Sequence, residues 1–278
     1  MGRCPTGRYR VSVDATANNP QLSLPATFNF RDVGGYLGHD DRSVRRGRLY
    51  RSDSLHRLTE QDRDAFAAIG IRTVIDLRRP TEVERDGRVP EYQGLAYRHI
   101  HPEHADWAGT PHEEGASLAR YLADRYADLA QTGTAGLAEA VGLIADSANA
   151  PVVVHCVAGK DRTGIVCALT LAVVGVDDAD ITADYALSSA ASARYSAWLA
   201  SVNPGGVDVP APFLSSPAEA MQIFLDELRA GHGSVEAYLR RAGVTDEQLA
   251  ALRDHLLDEP TKAQPTDSQP TEAQSTDA

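Results

Sequence analysis

Hydrophobic residues in this chain alternate between short β-rich runs and longer segments with helical spacing. Pro151–His155 is apolar and β-branched, which is typical of a strand buried on both faces of a sheet. Arg48–Arg51, Ile71–Leu77 and Leu95–Ile100 are further strand candidates. Because predicted helices separate these runs, the pattern favours an α/β fold with a mainly parallel central sheet flanked by helices.

Capping residues mark several of the predicted helices. Thr59 is a candidate N-cap and Gly70 a candidate C-cap for a helix over Thr59–Ile69. Gly164–Val174 is apolar on all sides, which predicts a helix buried in the core. The C-terminal third is predicted to be helical, with capping boxes that begin at Ser216 and Thr245. Other helices are expected near 114–129, 135–146, 177–187 and 234–242.

Composition divides the chain into an arm, a folded domain and a tail. Residues 1–25 are polar and turn-rich, which predicts a loosely ordered arm, and 26–258 form the folded domain. Residues 259–278 are rich in Pro, Thr, Gln, Ser and acids, so we expect them to be disordered. Inside the domain, 188–215 is rich in Ser and Ala and then in Pro and Gly, a pattern typical of a disordered segment or a lid rather than a helix.

Charge and cysteine content narrow the function classes. The formal net charge of −12 argues against nucleic acid as a partner, so any phosphate site must use local cations. Cys4, Cys156 and Cys167 do not make a disulfide framework. No stretch predicts a membrane span or a signal peptide. We therefore expect a cytoplasmic protein, with export by another route left open; the Arg-rich, Lys-poor composition is typical of GC-rich bacteria.

The segment 152–164, VVVHCVAGKDRTG, runs from a predicted strand through a short loop into a predicted helix. Cys156 therefore lies at the carboxyl end of a parallel strand, where α/β proteins bind ligands. Backbone N–H groups that precede a helix can surround one anion. We expect a phosphate group to be bound by the loop residues Val157, Ala158, Gly159, Lys160, Asp161 and Arg162.

The residue types of this loop predict a reaction as well as a binding site. The N–H groups and the helix dipole stabilise a thiolate, so Cys156 is the expected nucleophile. Arg162 offers a planar fork to two phosphate oxygens, and Thr163 is expected to donate its hydroxyl to the thiolate. Lys160 is the single lysine of the domain, which suggests contact with a second phosphate or a leaving-group oxygen. These cations make a metal ion or another cofactor unnecessary.

A leaving alkoxide or phenoxide needs a proton, and the sequence offers three carboxyl groups. Asp161 lies beside Arg162, Asp106 follows a predicted strand as a mobile acid loop would, and Asp76 ends the strand over 71–77. Asp76 is also a candidate for substrate contact or for a structural pair with Arg78. Six arginines lie between positions 42 and 57, and among them Arg51 is the best-placed pocket residue.

The loop sequence HCVAGKDRTG resembles the signature of the protein tyrosine phosphatase superfamily, and in particular its bacterial branch with AGKDRTG. Similarity to that branch extends to Asn29–Tyr36, Leu49–Asp53, Asp76–Arg78 and Tyr238–Gly243, so it covers about residues 28–257. The resemblance implies a tyrosine-phosphatase-like fold and activity on phosphotyrosine and, variably, on phosphoserine, phosphothreonine or phosphoinositides. It also favours Asp161 as the acid.

Together these features predict a cysteine-dependent phosphatase that forms a phosphocysteine intermediate. The expected partners are phosphorylated proteins or phosphoinositides. A small-molecule phosphatase acting on sugar or nucleotide monophosphates would use the same loop, so that alternative stays open. Two further alternatives are a non-catalytic phosphate-binding module and a sulfurtransferase or arsenate reductase. The sequence gives no indication of oligomeric state.

Overall fold

A computed structural model of the chain describes residues 24–107, 110–113, 115–202 and 214–259. Its sheet has the strand order β1-β2-β5-β3-β4. The first pair is antiparallel and the remaining pairs are parallel. The strands are β1 (Arg31–Asp32), β2 (Leu49–Ser52), β3 (Thr73–Asp76), β4 (Ala96–His99) and β5 (Val152–His155).

Helices flank this sheet and make up the C-terminal third of the described chain. The mainly parallel sheet with flanking helices confirms the predicted fold class. The helices are α1 (Glu60–Ile69), α2 (Pro80–Asp86), α3 (Leu118–Thr132), α4 (Thr134–Ala145), α5 (Asp161–Val173), α6 (Asp178–Ala186), α7 (Ser188–Val202), α8 (Ala218–His232), α9 (Val235–Arg241) and α10 (Asp246–Leu256).

The central strand β5 is buried on both faces, as its β-branched sequence predicts. Val152 and Val154 pack into the large core formed with α3, α4, α5 and the C-terminal helices. Val153 points the other way, into a smaller core that includes Leu55 and Phe66. Register pairs His155 with Ser52 on β2 and with Asp76 on β3, so the three strands end at one level. The residues that follow β5 therefore emerge between two supporting strands.

Helix α7 corrects the expectation for 188–215. The first half of that segment is a 15-residue helix, and 203–213 lie outside the described residues. The sequence SSAASARYSAWLASV contains several alanines and no Gly or Pro before residue 203, so its helix propensity is high. The Pro and Gly residues that argued against a helix all lie beyond its end. That this segment acts as a lid stays a prediction.

Helix ends follow the capping signals with one exception. Thr245 forms the predicted capping box, Thr59 is the predicted N-cap of α1 and forms a capping box as well, and Gly70 adopts the left-handed conformation at the end of α1. Ser216 is not the N-cap of α8, because the helix begins one residue later with Pro217 in that position. The Ser216 hydroxyl instead donates to the Ala186 carbonyl at 3.2 Å and so ties α8 to the end of α6.

The predicted arm and tail fall almost entirely on residues 1–23 and 260–278, which lie outside the described residues. Leu24 is already 3% exposed and packs in the smaller core. Within the described ranges, no helix is both long enough and apolar enough to cross a membrane.

Candidate active site

A cavity of about 440 Å³ opens at the carboxyl end of β5. Cys156 lines it together with Arg162, and the residues between them form the loop that we call the phosphate loop, Cys156–Arg162. The side walls come from six other parts of the chain, namely 28–29, Asp53, residues 79–85 around α2, the segment 104–107, α7 and Leu214. The structure thus places the predicted nucleophile at the bottom of a pocket of substrate size.

The carbonyl groups of the phosphate loop are held from the outside by Ser54 and Asn29. The Ser54 hydroxyl donates to the Cys156 carbonyl at 3.1 Å, and its backbone N–H donates to the Val157 carbonyl at 2.9 Å. The Asn29 amide donates to the carbonyls of Ala158 and Gly159 at 2.9 and 3.0 Å. Carbonyls fixed outward leave the peptide N–H groups to face the other way, which is the arrangement of an anion nest.

The backbone N–H groups of the phosphate loop are available to bind a ligand. Those of residues 157–160 donate no hydrogen bond within the described ranges. Those of Asp161 and Arg162 open α5, where no intrahelical acceptor exists. Six consecutive donors therefore converge where the sequence predicts an anion.

Gly159 makes this path possible. Its φ angle of +64° lies in the left-handed region, and a Cβ there would stand 2.2 Å from the Ser52 carbonyl oxygen. Such a contact would push the loop away from β2. A glycine at position 159 therefore permits the tight backbone path of the loop.

Arg51 does not line the pocket, so that prediction is wrong. Its side chain is 0% exposed and lies behind the phosphate loop, where it donates to the Gly159 carbonyl at 2.8 Å. Its charge is balanced by Asp184 on α6. Arg31 binds the same carboxylate at 2.9 Å. Arg51 is therefore a brace for the loop, and sequence spacing could not reveal a partner 133 positions away.

Arg162 does line the pocket, and Glu82 fixes its orientation. The two guanidinium nitrogens Nη1 and Nη2 donate to the Glu82 carboxylate at 2.6 and 3.2 Å. Burial opposes the charge on Arg162, but Cys156 and Glu82 raise its pKa above the ordinary value. The guanidinium is therefore a permanent cation held beside the Cys156 sulfur. Glu82 is a cavity-lining residue that sequence reasoning did not select as a site residue.

We expected Lys160 to face the cavity, but its side chain does not. Its side chain is 0% exposed, and Nζ donates to Asp161 Oδ1 at 2.6 Å. Tyr126 donates to the same oxygen at 2.6 Å, and the Tyr185 hydroxyl bonds to that of Tyr126. Burial disfavours the ammonium, but Asp161 raises the pKa of Lys160. The lysine thus holds Asp161 from behind, while Asp161 itself lines the cavity.

Asp76 is not a pocket residue. It is 0% exposed, and its carboxylate receives the Arg78 side chain at 2.6 to 3.1 Å and the Tyr97 hydroxyl at 2.9 Å. Burial raises its pKa, but His155 and Arg78 outweigh burial and lower it to about 2. Of the three roles that the sequence left open for Asp76, the structure shows the pair with Arg78. Asp76 therefore lies outside the cavity lining, with its carboxylate already bound by Arg78 and Tyr97.

Thr163 does not form the predicted hydrogen bond to Cys156. Its hydroxyl is buried and has no hydrogen-bond partner within the described ranges. His155 is fully buried beneath the loop, where Nδ1 lies 3.1 Å from the Cys156 carbonyl and Nε2 lies 3.5 Å from Asp76. His155 therefore supports the loop from behind.

Asp106 reaches the cavity from the segment after β4. Its carboxylate lies 3.3 Å from Arg79, and its side chain is 60% exposed. His104 and Trp107 line the cavity from the same segment and were not selected from the sequence. The cavity thus brings together two of the three candidate acids, Asp161 and Asp106. Among the described residues, no group of three or more His, Cys, Asp and Glu could hold a metal ion.

Comparison with known proteins identifies the family. A model described as "Tyrosine phosphatase family" matches residues 22–258. The triple specificity protein phosphatase PtpB of Mycobacterium tuberculosis is 32% identical over 84% of this chain and 98% of that protein. A tyrosine-protein phosphatase of Nostoc commune is 28% identical over 74% of this chain and 73% of that protein.

Among solved structures, the chain aligns with TpbA of P. aeruginosa at 17% identity and a TM-score of 0.26, over 74% of this chain and 86% of that one. The family match and the PtpB relative each cover most of the chain. The protein is therefore a phosphatase that belongs to the tyrosine phosphatase family.

Proposed function

We propose that the protein hydrolyses phosphomonoesters through a phosphocysteine on Cys156, with phosphotyrosine in proteins as the preferred substrate. One observation supports this most directly. Cys156 and Arg162 line the same cavity, and the carbonyls of the loop between them are tied outward. The N–H groups of Val157, Ala158, Gly159, Lys160, Asp161 and Arg162 then bind the phosphoryl oxygens.

The reaction has two steps. In the first, the Cys156 thiolate attacks phosphorus, an S–P bond forms, and the P–O bond to the leaving group breaks. In the second, water attacks phosphorus and the S–P bond breaks, which regenerates the thiolate and releases phosphate. Arg162 and the N–H groups stabilise the charge that develops on the equatorial oxygens in both steps.

Asp161 is the proposed proton donor to the leaving group. It begins α5 next to Arg162 and lines the cavity, so it lies beside the bound phosphate. Lys160 and Tyr126 both bond to its Oδ1, which fixes the carboxyl group and leaves Oδ2 for the cavity. Asp106 is more exposed and is paired with Arg79, so it is the second candidate.

The walls of the cavity favour an aromatic leaving group. Phe28 and Tyr195 line one side with ring centroids 5.4 Å apart, and Trp107 lines another. A phosphotyrosine ring would bury apolar surface against these rings, which an alkyl phosphate would do less well. The names of the relatives, "triple specificity protein phosphatase" and "tyrosine-protein phosphatase", support protein phosphotyrosine and leave room for further substrates.

A substrate panel with Cys156→Ser as control tests the proposal. The wild-type protein should hydrolyse phosphotyrosine peptides with higher kcat/KM than phosphoserine peptides, inositol phospholipids or sugar and nucleotide monophosphates. Cys156→Ser should lose turnover of para-nitrophenyl phosphate yet still bind inorganic phosphate. Turnover by Cys156→Ser would contradict the mechanism, and a preference for a small phosphomonoester would overturn the substrate assignment.

A further inference from the structure

Arg57 belongs to the arginine-rich segment 42–57, and the two-step mechanism does not use it. Its side chain is only 17% exposed and does not line the cavity. The guanidinium instead lies between two parts of the cavity wall that are far apart in the sequence, residues 28–29 and helix α7. Arg57 is therefore a mostly buried cation at the junction of two wall segments.

Three aromatic rings surround the Arg57 guanidinium. Its Cζ atom lies 5.5 Å from the ring centroids of Phe28 and Tyr195 and 5.9 Å from that of Trp198. The rings also contact one another, because the Phe28 centroid lies 5.4 Å from that of Tyr195 and 5.5 Å from that of Trp198. A guanidinium is attracted to the π face of an aromatic ring. Arg57 therefore holds a ring of segment 28–29 together with two rings of α7.

An ion pair and a backbone contact fix Arg57 in this place. Its Nη2 donates to Oδ2 of Asp53, and its Nε donates to the Ala26 carbonyl oxygen at 3.3 Å. The other oxygen of Asp53, Oδ1, accepts the backbone N–H groups of Phe28 and Asn29, each at 3.0 Å. Asp53 thus joins the cation to the backbone of the residue whose ring the cation faces. The Phe28 ring is therefore held both through its backbone and through its face.

Two of the three rings line the cavity that contains Cys156. Phe28 and Tyr195 do so, whereas Trp198 is 38% exposed and lies outside the lining. An aromatic leaving group buries apolar surface against such rings only where they are held in contact distance, and a short alkyl group gains little from them. The preference between the two kinds of substrate therefore depends on how firmly Phe28 and Tyr195 are held.

We infer that Arg57 is a positioning residue that sets the preference of this enzyme for aromatic over alkyl phosphomonoesters. It acts through Phe28 and Tyr195 and lies outside the cavity lining itself. The inference rests on the proposed function, because it names the residue that determines the substrate class of the same cavity. Loosening the two rings should weaken binding of an aryl group and leave the binding of phosphate unchanged.

Arg57→Lys tests the inference, because an ammonium keeps a positive charge beside Asp53 but has no planar group to stack on the rings. The kcat/KM for phenyl phosphate and for phosphotyrosine peptides should fall about three- to tenfold, the range of one aromatic contact. The fall should come from a higher KM with kcat unchanged, since a ring contact binds the ground state and the transition state alike. The kcat/KM for a phosphoserine peptide and the inhibition constant of inorganic phosphate should stay at their wild-type values.

Arg63→Lys is the matched control. Arg63 also faces a ring, with Cζ 5.4 Å from the centroid of Tyr92, and it also pairs with an acid, Glu60, at 2.9 Å. It lies outside the cavity lining, so its variant should show wild-type kinetics on every substrate. Trp198→Ala is a second test, because it removes one exposed ring of the cluster and leaves the pair with Asp53 in place. It should lower the same ratio of aryl to alkyl kcat/KM, and it decides the question if Arg57→Lys does not fold.

The two substrates and the phosphate inhibition constant separate the outcomes. A wild-type ratio of aryl to alkyl kcat/KM in folded Arg57→Lys would overturn the inference and leave the proposed function intact. An equal loss for both substrates with weaker phosphate inhibition would also overturn it, since Arg57 would then act on the phosphate loop through Asp53 and Asn29. Equal kcat/KM for aryl and alkyl substrates in the wild type would instead refute the proposed preference for phosphotyrosine.

Discussion

Glu82 binds Arg162 through both carboxylate oxygens, at 2.6 and 3.2 Å. The pair is buried, with side-chain exposures of 11% and 9%. Glu82 lies in the first turn of α2 and Arg162 in the first turn of α5, so the contact joins two helices that approach the cavity from different sides. The orientation of the guanidinium that we propose to bind phosphate is therefore fixed before substrate arrives.

Replacing Glu82 by Gln should lower kcat/KM for phosphotyrosine peptides by roughly tenfold to a hundredfold. An amide offers only one acceptor oxygen, so the fork of Arg162 can rotate away from its productive position, and small displacements of a positioning group have effects of this size. Steady-state kinetics measure the change. Glu84→Gln, on the exposed face of the same helix, is the matched control and should behave as wild type. Equal kinetics for Glu82→Gln and wild type would show that Arg162 needs no brace.

Asp161→Asn should slow substrates with poor leaving groups far more than those with good ones. A nitrophenolate departs with little protonation, whereas an unactivated tyrosine or an alkyl alcohol needs a proton. We expect a loss of about 10²-fold or more for phosphotyrosine and alkyl phosphates, and of no more than about tenfold for para-nitrophenyl phosphate. Comparing kcat across a series of phenols and alcohols measures this dependence on the leaving group.

Asp106→Asn is the control for that series, and it should keep the wild-type dependence on the leaving group. Selective loss in Asp106→Asn would instead identify the segment after β4 as a mobile acid loop. A uniform loss for all substrates in Asp161→Asn would reduce Asp161 to a support of the phosphate loop, since it is also bonded to Lys160 and Tyr126.

Asp184 should make the free energy of unfolding fall at acidic pH. Burial raises its pKa, but Arg31 and Arg51 outweigh burial and lower it to about 2. An unfolded chain has an aspartate pKa of about 3.9, so the stabilisation is present above that pH and is lost as pH falls towards 2. The loss is on the order of 2–3 kcal/mol in the free energy of unfolding.

Urea unfolding at pH 7 and at pH 3 tests this expectation. Asp184→Asn leaves Arg51 buried without its counter-ion, so the variant should be less stable at pH 7 by about 3–5 kcal/mol and should show a smaller decline at pH 3. Asp64→Asn changes an exposed carboxyl group on α1 and should keep the wild-type decline. An unchanged pH dependence in Asp184→Asn would mean that this carboxylate does not govern acid stability.

Local sequence was sufficient to predict the strand, loop and helix around Cys156, because β-branched runs, glycines and helix starts act over a few residues. The contacts that assign roles within the loop are long-range. Arg51 meets Asp184 on α6, and Asn29 meets the loop 129 positions later in the chain. A basic residue near the end of a strand can either line a pocket or support a loop from behind. The sequence therefore predicted the wrong position for Arg51.

Lys160 and Asp76 were misplaced for a related reason. Lys160 lies in the phosphate loop and Asp76 at the end of β3, but each side chain forms an ion pair with a neighbour of opposite charge. Lys160 binds Asp161, and Asp76 binds Arg78. Residue type alone does not show whether a charged side chain contacts a ligand or pairs with a neighbouring residue. His104 and Trp107 carried no sequence signal, since their position in the cavity wall depends on where the segment after β4 returns to the pocket.

Acid quenching of the protein during turnover tests the phosphocysteine most directly. Wild-type protein mixed with para-nitrophenyl phosphate and quenched within the burst should contain one phosphorylated peptide, the peptide that includes Cys156, by mass spectrometry. Cys156→Ser should contain none. Phosphate on a different residue, or full turnover with no phosphorylated peptide, would contradict a mechanism in which the Cys156 thiolate is the nucleophile.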